Sequence, residues 1–200
     1  GHSISINEEK KWQRITKTIT QWHQKNRPIL VGTASIKESE LISQKLEAME
    51  IPHQILNAKN HQEESQIIAQ AGHSGKITVA TSMAGRGTDI KLNQSSKENG
   101  GLLVITTQLY HSQRVDRQLQ GRCSRQGDPG AVKCFYSLED EILKQNFSLT
   151  RHLLAPFTFL PSFMLLPFFK MAQFLSSSKG RQQRKQVMKS DDWLDEILGF

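Results

Sequence analysis

Residues 28–46 read PILVGTASIKESELISQKL. The short apolar run Pro28–Val31 predicts a strand buried on both faces, since a half-exposed strand would alternate apolar and polar residues. Ser35 and Glu38 follow at capping-box spacing, where a serine oxygen and a glutamate carboxylate can satisfy free amides of a first helical turn. Leu41, Ile42, Leu46 and Met49 then recur at helical intervals and predict the inward stripe of a helix. A strand passing through a cap into a helix is the unit from which the fold is read.

The unit recurs along the chain. Upstream, Trp12, Ile15, Ile19 and Trp22 predict a helix over 8–25. Downstream, Ile55 and Leu56 mark a strand, Asn60 and Glu63 a second capping box, and Ile67, Ile68 and Ala71 a helix face. Strands are expected at 77–80, 102–105 and 132–136, with helices at 111–120 and 138–144. Strands alternating with helices of this length predict an α/β fold of three layers, a mostly parallel sheet covered on both faces. Ligands of such sheets bind beyond the carboxyl ends of the strands.

The apolar stretch 147–175 carries prolines at 156, 161 and 167 and Lys170. Those interruptions argue against a membrane span and for short turns packed on the main domain or a partner. Residues 176–189 are polar and basic, and Asp191 precedes a final amphipathic run through Trp193, Leu194, Ile197 and Leu198. Gly1, His2 and Ser3, without a methionine, read as a remnant of an expression vector.

Composition narrows the chemistry. Two cysteines, Cys123 and Cys134, make no disulfide framework, and seven histidines fall into no metal-ligand spacing, so no metal site is expected. A net charge of +7 favours acidic partners, either nucleic acid, anionic lipid or an acidic protein face. The basic residues are not interleaved with aromatics in the manner of a base-stacking track, which argues against nucleic acid.

Two glycine-and-arginine segments fall where the carboxyl-end rule places a ligand. In 118–128, QLQGRCSRQGD, Arg122 and Arg125 stand three residues apart, a spacing suited to an anion. The bland alternative is a solvated basic helix end paired with Asp116 or Asp128. In 85–89, GRGTD, Gly85 and Gly87 flank Arg86, and Asp89 can hold a hydroxyl or an arginine; an ordinary tight turn has the same composition. The loop G-x-x-x-x-G-K-[ST] that cradles phosphate in many ATPases occurs nowhere in the chain.

The ordered set VGTASIKESELISQKL, ILNAKNHQEESQIIAQAG, ITVATSMAGRGTDIKL, GGLLVITT and QLQGRCSRQGDPGAVKCFYSLEDEIL resembles the second nucleotide-binding domain of SecA, the ATPase motor of bacterial preprotein translocation. The likeness runs from Pro28 to Leu143. It resumes at Ala172–Gln173 and again at 184–186 and 191–192, similar to the start of the family's helical scaffold. It implies a RecA-like domain over 28–146 of the P-loop NTPase superfamily, lacking the P-loop itself. It further implies a helix over 4–27, an apolar segment over 147–175 and a scaffold fragment over 176–200.

In such motors ATP and Mg²⁺ sit between two RecA-like domains, and the first holds them. The resemblance implies Arg125 as the finger-like catalytic arginine, with Arg122 helping to hold the phosphates or the closed interface. Gly85, Arg86, Gly87, Asp89 and Gln118 would complete the nucleotide-facing surface; Thr33, Ser35 and Lys59 match less diagnostic positions. The implied partners are the motor's first nucleotide-binding domain, the SecYEG channel, unfolded precursor protein and an anionic membrane surface. The implied location is the cytoplasm and the inner-membrane periphery. Alone, the chain is expected to be inactive. Two other readings are a nucleic-acid helicase domain and a non-enzymatic module docking a membrane or protein.

The chain departs from the family at 106–114, reading TTQLYHSQR where GTERHESRR is usual, and at Gln120, where an arginine is usual. The segment has lost ion-pairing capacity next to the arginine element.

Overall fold

The computed structural model describes residues 1–56, 64–81, 88–124, 127–147, 164–180 and 182. The strands are β1 (His2–Ser5), β2 (Ile29–Thr33), β3 (Gln54–Leu56), β4 (Ile77–Thr81), β5 (Leu102–Thr106) and β6 (Gly130–Ser137). The helices are α1 (Glu8–His23), α2 (Ile36–Glu47), α3 (Glu64–Gln70), α4 (Gln94–Glu98), α5 (Gln113–Gln120) and α6 (Glu141–Asn146), followed by helical residues 164–180. The six strands form one sheet in the order β1-β6-β5-β2-β4-β3, and every pairing is parallel.

Alternation along the central strands divides the core. Ile29, Val31, Ile77, Val79, Leu103 and Ile105 point to the face covered by α1 and α2, through Trp12, Ile15, Ile19, Ile42 and Leu46. Leu30, Ala80, Leu102 and Val104 point to the other face, under Ile67 and Ile68 of α3 and Leu119 of α5. Burial on both sides explains why these strands read as near-continuous apolar runs, with buried Thr78 the interruption in β4. Successive strands leave β2 on opposite sides, β4 on one and β5 on the other, which makes its carboxyl end the switch point of the sheet.

The expected strands and helices are present among the described residues, and four findings differ from the reading. The first is β1, which pairs with β6 from His2↔Cys134 to Ser5↔Ser137, so the sheet begins before α1. Second, α4 is an unanticipated short polar helix capped by Asn93, whose side chain accepts from Ser96 N at 2.8 Å. Third, α2 turns only Ile42 and Leu46 of its expected stripe inward; Leu41 and Met49 are exposed, because the helix lies on the sheet along a narrower contact.

Fourth, residues 164–180 form one continuous helical stretch that includes Pro167, rather than short turns. Its buried face of Leu165, Phe169 and Ala172 packs with Ile4, Tyr136, Ile142 and Leu143, and Phe169 stacks on Tyr136 at 5.2 Å. Among the described residues no helix is long and apolar enough to cross a membrane. The second capping box (Asn60, Glu63) and the amphipathic run after Asp191 lie outside the described residues.

Candidate functional site

The carboxyl end of β2 is built as the sequence reading expects, with one change. Ser35 caps α2, its Oγ accepting from Glu38 N at 3.2 Å. The Glu38 carboxylate, however, accepts from Ala34 N at 2.9 Å and from the Thr107 hydroxyl at 3.2 Å, not from the amide of Ser35. Glu38 thus ties the end of β2 to the residue that follows β5. Thr33 is buried and donates within the sheet, to Ala80 O at 3.4 Å.

Gln118, Leu119 and Arg122 line a cavity of about 30 Å³ with Ala80 and Thr81 of β4 and with Ile90. Thr81 is the last described residue before 82–87, and Ile90 follows Asp89. Gln118 and Arg122 therefore meet Thr81 and Ile90 over the carboxyl end of β4. Gly85, Arg86, Gly87 and Arg125 lie outside the described residues, as does Lys59. Asp89 and Arg122 are half-buried, and each is engaged in a polar or electrostatic contact. Of the two acids named as alternative partners, Asp128 pairs with Lys97 at 2.7 Å, and Asp116 accepts from Tyr110 N at 3.3 Å and from the Gln173 amide.

Two glycines that the sequence reading passed over seat this element. A Cβ on Gly32 of β2 would lie 2.2 Å from Leu119 Cδ2, so its absence lets α5 sink onto the sheet. A Cβ on Gly130 would lie 1.8 Å from Cys123 O, so the turn after α5 rests directly on the start of β6. Gly127 serves differently: its φ of +82° is in the left-handed region, where a side chain is strained. Only a glycine following an apolar strand residue hinted at Gly32, and nothing local distinguished Gly130.

A larger crevice of about 730 Å³ opens at the switch point, between Ser35, Lys37 and Glu38 of the α2 start and Gln108–His111. Its rim carries Glu8, Glu38, Glu40 and Glu141 against Lys37 and Lys144, an excess of carboxylates that disfavours a polyanion. Size alone favours this crevice; charge favours the smaller cleft at Arg122. For a phosphate-bearing ligand the guanidinium and amide donors decide, because charge-assisted hydrogen bonds to phosphate oxygens are the strong ones.

The segment that departs from the family pattern makes defined contacts. Tyr110 donates its hydroxyl to Thr33 O at 3.0 Å, and burial raises its phenol far above the usual tyrosine range. Its main chain meets Asp116, whose carboxyl is pushed up to about 6 by burial, with hydrogen bonds from Gln173 and Tyr110 N pulling the other way. Hydrogen bonds from Tyr110 N and the Gln173 amide to Asp116, and from Gln173 to Tyr110 O, tie this segment down.

The all-parallel sheet, in this strand order and with both faces covered, has a RecA-like fold. Two solved DEAD-box structures share the fold. A DEAD-box protein, SrmB of E. coli bound to the regulator of ribonuclease activity A, superposes with a TM-score of 0.56 at 18% identity, covering 72% of this chain and 80% of that one. Domain 2 of the DEAD-box helicase Mss116p, bound to an RNA duplex, superposes with a TM-score of 0.52 at 16% identity over 72% of this chain and 59% of that one.

The family described as the SecA P-loop domain matches residues 2–99 and 92–153, and the chain belongs to the SecA family. Protein translocase subunit SecA 3 of Magnetococcus marinus is 45% identical over 192 residues, 93% of this chain and 29% of the relative. Protein translocase subunit SecA of Thermosipho melanesiensis is 53% identical over 137 residues, 68% of this chain and 16% of the relative. The chain therefore spans less than a third of the length of these relatives.

Proposed function

We propose that this chain is the second motor domain of a SecA-type ATPase and contributes arginines to an ATP held by a first domain. The observation that carries the proposal is the meeting of Gln118 and Arg122 with Thr81 and Ile90 at the end of β4, in a sequence that lacks the G-x-x-x-x-G-K-[ST] pattern. A guanidinium and an amide fit phosphate oxygens, whereas an ATP-sized ligand exceeds a cavity of about 30 Å³. The nucleotide then belongs at an interface, with this surface as one wall.

ATP, when bound, would supply the phosphoryl group whose transfer drives the motor. Arg125 is assigned to its transferring phosphate, and Arg122 and Gln118 to its neighbours; Gly85, Arg86, Gly87 and Asp89 form the adjoining wall. Among the described residues no group of three acidic, histidine or cysteine side chains gathers, and we assign the Mg²⁺ ligands to the first domain. The partners proposed are that first domain, the SecYEG channel and unfolded precursor chains, at the cytoplasmic face of the inner membrane.

The test joins this chain to a first domain bearing the P-loop and measures steady-state ATP hydrolysis. Arg125→Ala is expected to lower kcat by about 10³-fold or more with little change in KM, the signature of a group acting on the transition state. Unchanged kcat in Arg125→Ala and in Arg122→Ala would remove the proposal.

A further inference from the structure

Helix α5 carries Gln118 and leads into Arg122, yet only Asp116 and Leu119 of its eight residues are buried. Leu119 is held by the space over Gly32. Asp116 is held by a residue far along the chain: Gln173, itself 3% exposed, donates its Nε2 to Tyr110 O at 2.7 Å and to Asp116 Oδ2. Asp116 Oδ1 accepts from Tyr110 N at 3.3 Å, so the main chain of Tyr110 is closed on both sides by the Asp116–Gln173 pair. One turn further, Ser176 Oγ meets His111 Nδ1 and Ser177 Oγ donates to His111 O, each at 2.6 Å.

We propose that Gln173 is a positioning residue for the arginine element. Its amide fixes α5 to the 164–180 helix, so the seating of that helix sets where Gln118 and Arg122 stand. The inference rests on the proposed function for its consequence, but the linkage stands on the geometry alone. A carboxamide suits the place because one NH₂ group serves two acceptors, a carbonyl and a carboxylate, that lie side by side in a dry site. An apolar residue there would leave both acceptors buried without a donor, and a shorter amide would not reach them. One and two turns earlier on the same face, Phe169 and Leu165 anchor the helix in an apolar cluster with β6, α6 and Leu109. The helix thus spans from that cluster to α5, and a shift at one end is felt at the other.

The experiment is backbone amide hydrogen exchange on the whole chain, comparing Gln173→Asn and Gln173→Leu with the parent, alongside a carbon-13 titration of the Asp116 carboxyl. The expected result is exchange at 117–121 faster by about tenfold or more, while amides of β2 and β4 keep their rates, since α5 then opens as a local unit. The Asp116 midpoint should also move upward, because Gln173's hydrogen bond favours the charged carboxylate. Unchanged exchange in α5, or acceleration spread evenly over the sheet in both variants, overturns the proposal. In a motor joined to a first domain, the same variants should lower kcat while leaving the KM for ATP in place. Selective loosening of α5 without a fall in kcat would leave the linkage standing and overturn the phosphate-facing role of α5.

Discussion

At the residue scale, Gly32 shows how a single missing methyl sets a site. Its Cα hydrogen faces Leu119, and an added Cβ would crowd Cδ2, Cδ1 and Cγ of that side chain at 2.2, 2.9 and 3.0 Å. Gly32→Ala is expected to cost about 1–3 kcal/mol by urea unfolding, the usual range for overpacking. Combining it with Leu119→Ala should cost less than the sum of the two, as expected for residues sharing one space. Asp116 gives a pH signature. Burial raises its carboxyl from 3.8 to about 6, so the folded chain holds this proton to higher pH than the unfolded chain does. Its contribution to stability is therefore fully present below the unfolded value and is lost as pH rises through the folded one. Asp116→Asn should flatten the decline in stability across that window, read from unfolding curves at stepped pH; an unaltered slope would mean that Asp116 is not buried as described.

At the element scale, a buried ion pair joins α1 to the start of α6, Lys11 Nζ to Asp140 Oδ1 at 2.6 Å, with both side chains almost without exposure, beside an exposed pair of Glu8 and Lys144 at 3.6 Å. Burial pushes the Asp140 carboxyl up to about 6, and Lys11 offsets part of that rise. Asp140 also accepts from Ser137 N at 2.9 Å, so the carboxylate organises the turn into α6. Lys11→Met should destabilise the chain by about 3–5 kcal/mol, because it strands a buried carboxylate, and Asp140→Asn in that background should recover part of the loss. Chemical denaturation measures both. The central elements were legible because their signals are local: β2 and β5 begin as unbroken apolar runs, β4 is apolar but for Thr78 and its last residue, and α2 has its cap. Strand β1 was not, since HSIS owes its place to pairing with β6, more than a hundred residues away. The polar α4 and the 164–180 helix were equally hidden, one by its lack of an apolar stripe and the other by Pro167.

At the scale of the whole molecule, a basic α/β domain places Gln118 and Arg122 at the carboxyl end of its sheet, in a sequence that lacks the G-x-x-x-x-G-K-[ST] pattern. The residue types of that site were legible in the motifs, and the convergence of Gln118 and Arg122 on the end of β4 followed from the carboxyl-end rule. Its mounting was not legible, because Gly32 and Gln173 act across long stretches of chain: Gln173 lies 57 residues from Asp116. The divergent segment 106–114 also gained a meaning that sequence could not supply, since Tyr110 and His111 are the points where the 164–180 helix grips. The most direct test of the central claim is ATP hydrolysis by this chain alone and after mixing with a P-loop-bearing first domain. The half-site account predicts no turnover above background from the chain alone and hydrolysis that rises with the chain's concentration in the mixture. Sustained turnover by the isolated chain, abolished by Arg125→Ala, would contradict it.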